Sequence, residues 1–276
     1  MKRIFAAAAT VILALMLFSC AESRENGDFA FYCLDTGKSD CMILSLGGMT
    51  FMVDTADNDD YEKISAKLDS LSVTNIDCLV ITHFDKDHIG SAAQLIKSYE
   101  VKRIIAPSYK KDSSEYVEFS SAAYRESIEI EKITEICVIE SAENRKIVIY
   151  PPARDYGDDN NNSLITAVYA GDCAMLLMGD AEKERTFDFL NACSEKFDIV
   201  KLPHHGDYFK ELKALFDIAR PEYCIVTVGE RASAEEKLLT LASNYGCRLL
   251  YSCDGEVYVK TLCTTDGKTT EFKVYQ

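Results

Sequence analysis

Thr82-His83-Phe84-Asp85-Lys86-Asp87-His88-Ile89-Gly90 is the stretch on which the reading of this fold turns. It holds two of the four histidines in a chain of 276 residues. The short apolar run Asp77-Cys78-Leu79-Val80-Ile81 precedes it and reads as a buried strand. Beyond it, Ile89, Ala92, Ala93, Leu95 and Ile96 recur at helical spacing up to Lys97. His83, Asp85, Asp87 and His88 therefore sit on a tight strand-to-helix loop. Imidazole and carboxylate are the ligand types of a hydrolytic metal centre, and a loop at a strand end can aim them at one spot.

Outward from that loop the chain alternates short apolar runs with helical patterns. On the N-terminal side, Phe29–Leu34 reads as a strand opening into Asp35-Thr36-Gly37-Lys38-Ser39-Asp40. Cys41–Leu46 and Thr50–Val53 form a hairpin across Gly47-Gly48, ending at Asp54, and a helix spans about Asp60–Leu71. On the C-terminal side, Arg103–Ala106 is a strand and Lys110–Glu135 a polar surface insertion, helical from Glu115 to about Glu129. Strands over Ile136–Ile139, Lys146–Tyr150, Ser163–Tyr169 and Ala174–Met178 lead to Gly179-Asp180 and a helix over Glu182–Ala192. The apolar run Ile199-Val200-Lys201-Leu202 reads as a buried strand feeding Pro203-His204-His205-Gly206. A helix near Phe209–Ile218, a strand Tyr223–Val228, a helix Ala234–Asn244, a strand Arg248–Tyr251 and a closing hairpin complete the chain.

With 47% hydrophobic residues and no Pro/Gly/Ser-rich linker, the length suits a single α/β domain, expected over 28–276. Net charge is -15, with 45 acidic side chains. Extended gripping of a nucleic-acid backbone needs a basic stripe, and none is visible. Acidity still permits a phosphorylated substrate, because a bound cation supplies local positive charge. The first residues read as an export signal: Lys2-Arg3, an apolar run from Ile4 to Phe18, then Ser19-Cys20. The cysteine after Leu17-Phe18-Ser19 resembles the bacterial lipoprotein signal. That resemblance makes 1–19 the removed peptide, Cys20 the lipidated residue, 20–27 a tether, and the location extracytoplasmic. The remaining cysteines read as mostly reduced core residues, with Cys247 and Cys253 the expected pair if one forms.

Asp54, the His83/Asp85/Asp87/His88 group, Asp180 and His204/His205 each follow a short apolar strand. Strand ends of an open sheet converge on one edge, where ligands sit. Six such groups suffice for two divalent ions, one acidifying a water and the other stabilising the oxyanion or leaving group.

This order of motifs resembles the metallo-β-lactamase superfamily, and within it the branch containing the C-terminal domain of the DNA-uptake protein ComEC. Asp35–Asp40, Thr82–Gly90, Asn161–Leu164, Leu177–Asp180 and Pro203–Gly206 carry the resemblance, which spans about Phe29–Val274. It implies a four-layer αβ/βα sandwich. It also implies that His83 and Asp85 bind one metal, that Asp87, His88 and His204 bind a second, and that Asp180 bridges them. Asp54 is then the acid behind the His83 loop, Asp35 and Asp40 border the cleft, and Asn162 stands where many members place a further metal-binding His. Lys38 and Ser39 depart from the branch's first motif, and Glu230-Arg231-Ala232-Ser233 replaces a His-containing segment, so DNA uptake does not transfer.

Three carboxylates with three imidazoles make a harder site than a His-rich one, so manganese or iron stands beside zinc as the expected metal. The expected activity is a metal-dependent hydrolase, a phosphodiesterase acting through a metal-bound hydroxide on an anionic substrate, with Asp87 or His205 assisting proton transfer. The alternatives are hydrolysis of lactones or lactams, and a non-catalytic binding protein with a degraded metal site.

Overall fold

The computed structural model describes residues 29–142, 145–230, 236–263 and 270–276. The lipoprotein-like leader, Cys20 included, lies outside the described residues.

Strands β1 (Ala30–Cys33), β2 (Met42–Leu46) and β3 (Met49–Val53) lead to helix α1 (Tyr61–Ser70). Next come β4 (Asn75–Ile76), β5 (Cys78–Val80), the one-turn α2 (Lys86–Ile89), α3 (Ala92–Ser98), β6 (Glu100–Val101) and β7 (Ile104–Pro107). Helix α4 (Ser114–Arg125) is followed by β8 (Ile130–Ile133), β9 (Cys137–Ala142), β10 (Arg145–Tyr150), β11 (Ile165–Ala170) and β12 (Cys173–Leu177). The chain then runs through α5 (Lys183–Ala192), β13 (Ile199–Lys201), α6 (Leu212–Ala219) and β14 (Tyr223–Val226). It ends with α7 (Glu236–Tyr245), β15 (Arg248–Tyr251), β16 (Val257–Cys263) and β17 (Thr270–Tyr275).

Two sheets stack. One has the order β17-β16-β1-β2-β3-β5-β7-β8, and the other β15-β14-β13-β12-β11-β10-β9, while β4 and β6 form a small parallel pair. Each large sheet is antiparallel in one part and parallel in the other. In the first, β3, β5, β7 and β8 run parallel; in the second, β12, β13, β14 and β15 do. Alternation along the strands sends one set of side chains between the sheets and the other under helices. Phe51, Val53 and Val80 meet Ile149, Met175 and Leu177 in the inter-sheet core. Met52 and Leu79 face the opposite way, into a layer with Leu68 of α1, Leu95 of α3 and Phe119 of α4. Phe189, Phe216 and Leu238 place α5, α6 and α7 on the second sheet. This is the four-layer αβ/βα sandwich that the motif order implied.

Three local expectations change. The helix in the polar insertion stops at Arg125, and Ile130–Ile133 adds an edge strand parallel to β7. Its Ile-Glu-Lys-Ile pattern is half-buried throughout, so the apolar signal is diluted and the insertion belongs to the sheet. The helix after the central loop is split into α2 and α3 around Gly90-Ser91. A Cβ at Gly90 would lie 2.5 Å from the backbone nitrogen of Asn58, so only glycine permits this approach. Cys247, the expected partner of Cys253 if a bridge forms, has its Sγ 3.3 Å from that of Cys224 on the neighbouring strand. No described helix is long and apolar enough to cross a membrane.

Candidate metal centre

The parallel strands of both sheets deliver their C-terminal ends to one place. After β3 the chain turns at Asp54, whose φ is 59°, and after β5 it reaches Thr82 and His83. Asp180 follows β12, His204 and His205 follow β13, and Thr227 follows β14. Backbone bonds lock these ends together: Thr55 N–H donates to His88 O at 2.7 Å, Asp40 N–H to Asp87 O at 3.0 Å, and Leu164 N–H to Thr82 O at 2.9 Å.

Asp54 is fully buried and organises the central loop. Its Oδ1 accepts from Thr82 N–H at 2.7 Å, and its Oδ2 accepts from Thr82 Oγ1 at 2.6 Å. The same Oδ2 lies 2.7 Å from His88 Nδ1, and Thr82 Oγ1 lies 3.0 Å from His83 Nδ1. One carboxylate thereby fixes both histidines by their Nδ1 edges. His88 Nε2 is left pointing at Asp180 Oδ1, 3.2 Å away but off hydrogen-bond alignment.

His205 is held in a parallel manner from the other sheet. Its Nδ1 lies 2.9 Å from Thr227 Oγ1, which donates to Asp40 Oδ1 at 2.7 Å. Its Nε2 stands 3.3 Å from both Asp87 Oδ2 and Asp180 Oδ2. The turn that aims it is unusual. His204 (φ 47°, ψ 51°), His205 (φ 55°, ψ 19°) and Gly206 (φ 85°) are consecutive left-handed residues. Non-glycine residues in that region cost about 1–3 kcal/mol each, a strain that clusters at functional sites.

Asp40 is wholly buried, so it does not border the cleft as expected. It lies on the Nδ1 side of both rings, 3.4 Å from His205 Nδ1 and 3.9 Å from His88 Nδ1. Its Oδ2 pairs with the ammonium of Lys201, itself fully buried at the end of β13 and 3.9 Å from Asp180 Oδ1. Asp40, His88, Asp180 and His205 offer donor atoms within 4.8 Å of one another. A protein cation already answers Asp40 there. The open Nε2 atoms face Asp87 and Asp180.

The remaining residues take up several positions. His83 Nε2 is buried and 3.7 Å from Asp85 Oδ2, and the His83 and His88 ring centroids are 4.1 Å apart. Asp85 is half-buried and also carries the ammonium of Lys111, which lies 2.5 Å from Asp159 Oδ2. His204 is 27% exposed, 3.9 Å from Asp180 Oδ2 through Nε2 and 3.3 Å from Glu182 Oε1 through Nδ1. Asn162 turns away: its Oδ1 accepts from Tyr156 N–H at 3.1 Å and its Nδ2 donates to Asp155 at 2.9 Å. Asp35 offers its backbone carbonyl to Lys63. The Asn161–Leu164 motif is a splint. Asn161 Oδ1 accepts from Arg185 N–H at 3.0 Å, and Ser163 Oγ accepts from Asp180 N–H at 3.2 Å.

Electrostatics follow from this crowding. Burial opposes a charge on His88, but Asp180 and Asp54 outweigh it and hold the imidazole pKa well above its ordinary value. Burial likewise opposes charge on His205, yet Asp180, Asp40 and Asp87 push it up to about 10. Burial alone would raise Asp180, but His88 and His205 bring it well below the carboxylate range. The surrounding carboxylates thus favour positive charge on both imidazoles, and a divalent ion would supply that charge instead. His83 Nε2, His88 Nε2, His205 Nε2 and Asp180 Oδ1 are buried yet make no hydrogen bond. Unpaired buried polar atoms cost about 1–3 kcal/mol each, so the three that converge, His88 Nε2, His205 Nε2 and Asp180 Oδ1, fit a metal ion as their missing partner.

The family model for the metallo-beta-lactamase superfamily matches residues 34–229. The chain belongs to the metallo-beta-lactamase superfamily. Within it, the chain is 26% identical over 263 residues to ComE operon protein 3 of Bacillus subtilis (strain 168), covering 87% of this chain and 33% of that protein. It is also 26% identical over 154 residues to Recombination protein 2 of Haemophilus influenzae, covering 55% of this chain and 17% of that one. The chain therefore spans a third or less of these curated relatives. Among solved structures, the metallo-beta-lactamase fold protein YhfI of Bacillus subtilis matches with a TM-score of 0.57 at 10% identity, covering 81% of this chain and 96% of that one. A diphosphatase of the PhnP family matches with a TM-score of 0.50 at 12% identity, covering 84% and 98%. At these identities the metallo-beta-lactamase fold is what the likeness establishes.

Sequence reading missed Lys201, Thr227 and Lys111. For Lys201 a signal was present: a lysine within the apolar run Ile199–Leu202 needs a buried acid. Thr227 and Lys111 carry no local mark.

Proposed function

We propose that this chain is a metal-dependent hydrolase of phosphodiesters or similar anionic esters, held outside the cytoplasmic membrane by a lipid on Cys20. The observation that carries the reading is the convergence of His88 Nε2 and His205 Nε2 on the Asp180 carboxylate, buried and without hydrogen bonds. His88, His205, Asp87 and Asp180 would hold the principal ion; His83 and Asp85, with Asp180 shared, form a second and less complete position. Zinc, manganese or iron suits this mixture of imidazole and carboxylate. Such ions, when bound, acidify a water and stabilise charge developing on the substrate oxygens.

The roles of the adjacent histidines exchange relative to the motif expectation. His205 is buried with Nε2 in the cluster, which is a ligand's position. His204 stands at the mouth between Asp180 and Glu182, within reach of solvent, where it delivers a proton to a departing alkoxide. With an ion bound, Asp54 and Thr227 would keep both ligand rings in the tautomer whose Nε2 lone pair faces inward. Asp87, partly open to solvent, accepts the proton released by the attacking water. Lys201 holds Asp40 ionised behind the rings and contributes positive charge near Asp180. An acidic surface disfavours long nucleic-acid tracts. One fold relative is a diphosphatase, in keeping with chemistry at phosphorus.

The test is metal analysis of the purified protein followed by turnover of bis-p-nitrophenyl phosphate with and without chelator. Bound metal and chelator-sensitive hydrolysis support the reading. Protein that binds no divalent ion and hydrolyses no ester would leave a binding protein on a metallo-beta-lactamase scaffold. For the anchor, Cys20→Ala should release the protein from membranes, and unchanged retention would refute lipidation at that residue.

A further inference from the structure

The two metal positions implied by the motif order are not equally built. The principal position has three side chains of its own, Asp87, His88 and His205, and the shared Asp180. The other has His83 and Asp85, with a share in Asp180. The residue that would complete it, Asn162, has both ends of its amide committed to Tyr156 and Asp155 of its own loop. Asp85, its only private carboxylate, is already answered by the ammonium of Lys111.

Lys111 is not a loose surface side chain. It sits just after β7, on the same sheet edge as the other site groups, and is anchored on its far side by Asp159 at 2.5 Å. Asp159 belongs to the loop that leads to Asn162, and its carbonyl accepts from Asn162 N–H at 3.1 Å. The ammonium is thus clamped between two acids, one from each half of the fold, over the outer oxygen of Asp85. A divalent ion on Asp85 and His83 would have to share that carboxylate with a fixed unit of positive charge. Like charges that close repel strongly wherever water is partly excluded.

We propose that Lys111, clamped by Asp159, is a built-in cation that weakens the His83/Asp85 position, so that the chain holds one divalent ion tightly instead of two. This rests on the metal-dependent reading of the site. Lys111 then contributes the positive charge that a second ion would otherwise bring to an anionic substrate, while Asp85 serves to fix Lys111 and His83.

The experiment counts manganese and zinc bound to the full chain, purified in detergent, by elemental analysis after equilibrium dialysis and by calorimetric titration. It compares the wild type with Lys111→Met and Asp159→Asn. The wild type should hold one ion per chain in the micromolar range or tighter. Lys111→Met should take up a second, its affinity at that position rising at least about tenfold. Asp159→Asn, which leaves the ammonium on Asp85, should stay at one. Two tight ions in the wild type, or one in Lys111→Met with its native circular-dichroism melt, would overturn the proposal while leaving the metalloprotein reading intact. No ion in any variant would remove both. Should Lys111→Met not fold, the wild-type count alone still decides between one ion and two.

Discussion

Asp54 Oδ2 and His88 Nδ1 lie 2.7 Å apart in the fully buried interior, and that contact faces the opposite ring nitrogen toward Asp180. The same carboxylate holds Thr82 through both backbone and hydroxyl, so a single acid positions the loop and the ring. Removing such a partner leaves a metal ligand in place but free to turn. Asp54→Asn should therefore lower metal affinity about 10–100-fold without unfolding the chain. Calorimetric titration checks this, and an unchanged dissociation constant would show that the ring is oriented by something else.

His204 and His205 are neighbours in sequence with different surroundings. One is at the mouth beside Glu182, the other buried between Thr227 and the acids. His205→Ala should abolish tight metal binding. His204→Ala should keep the metal but lower kcat about 10²–10⁴-fold for substrates with a poor leaving group, which needs the proton. The loss should be far smaller for nitrophenolate, which leaves unaided. The reverse assignment predicts metal loss in His204→Ala.

Metal binding should release protons. In the metal-free protein His205 has its pKa pushed up to about 10, with burial opposing and Asp180 leading the acids that raise it, and His88 shifts the same way. The upward shifts favour the protonated rings in the metal-free protein, and a divalent ion can use them only after expelling those protons. Affinity should therefore rise with pH toward about 10, and the heat of binding should vary with the ionisation enthalpy of the buffer. A heat independent of the buffer would contradict protonated ligands in the free state.

Much of this architecture is legible in the sequence because its parallel strands are short, apolar and followed by the acids and histidines themselves. Thr82–Gly90 and Pro203–Gly206 announce a site in that way. The edge strand Ile130–Ile133 is not legible, since half-burial lets Glu131 and Lys132 interrupt the apolar run. Nor can local pattern show which of two adjacent histidines turns inward. That depends on three consecutive left-handed residues and on Thr227, 22 positions further along. Asp40 reads as a loop acid, yet Lys201, far along the chain, draws it into the interior.

The Lys201–Asp40 pair carries its own prediction. Breaking a buried pair from one side strands the other charge and costs about 3–5 kcal/mol. Lys201→Met should lower stability by that amount in denaturant titration. Adding Asp40→Asn should recover part of the loss, because the second change removes the stranded carboxylate. Strict additivity of the two losses would mean that the residues are energetically independent despite their contact.

The most direct measurement is an anomalous-scattering map from crystals grown with manganese or zinc. A strong peak is expected, bounded by His88 Nε2, His205 Nε2, Asp180 and Asp87, with His204 outside its coordination. A map with no peak there, or a peak coordinated by His204 with His205 turned away, would contradict that expectation.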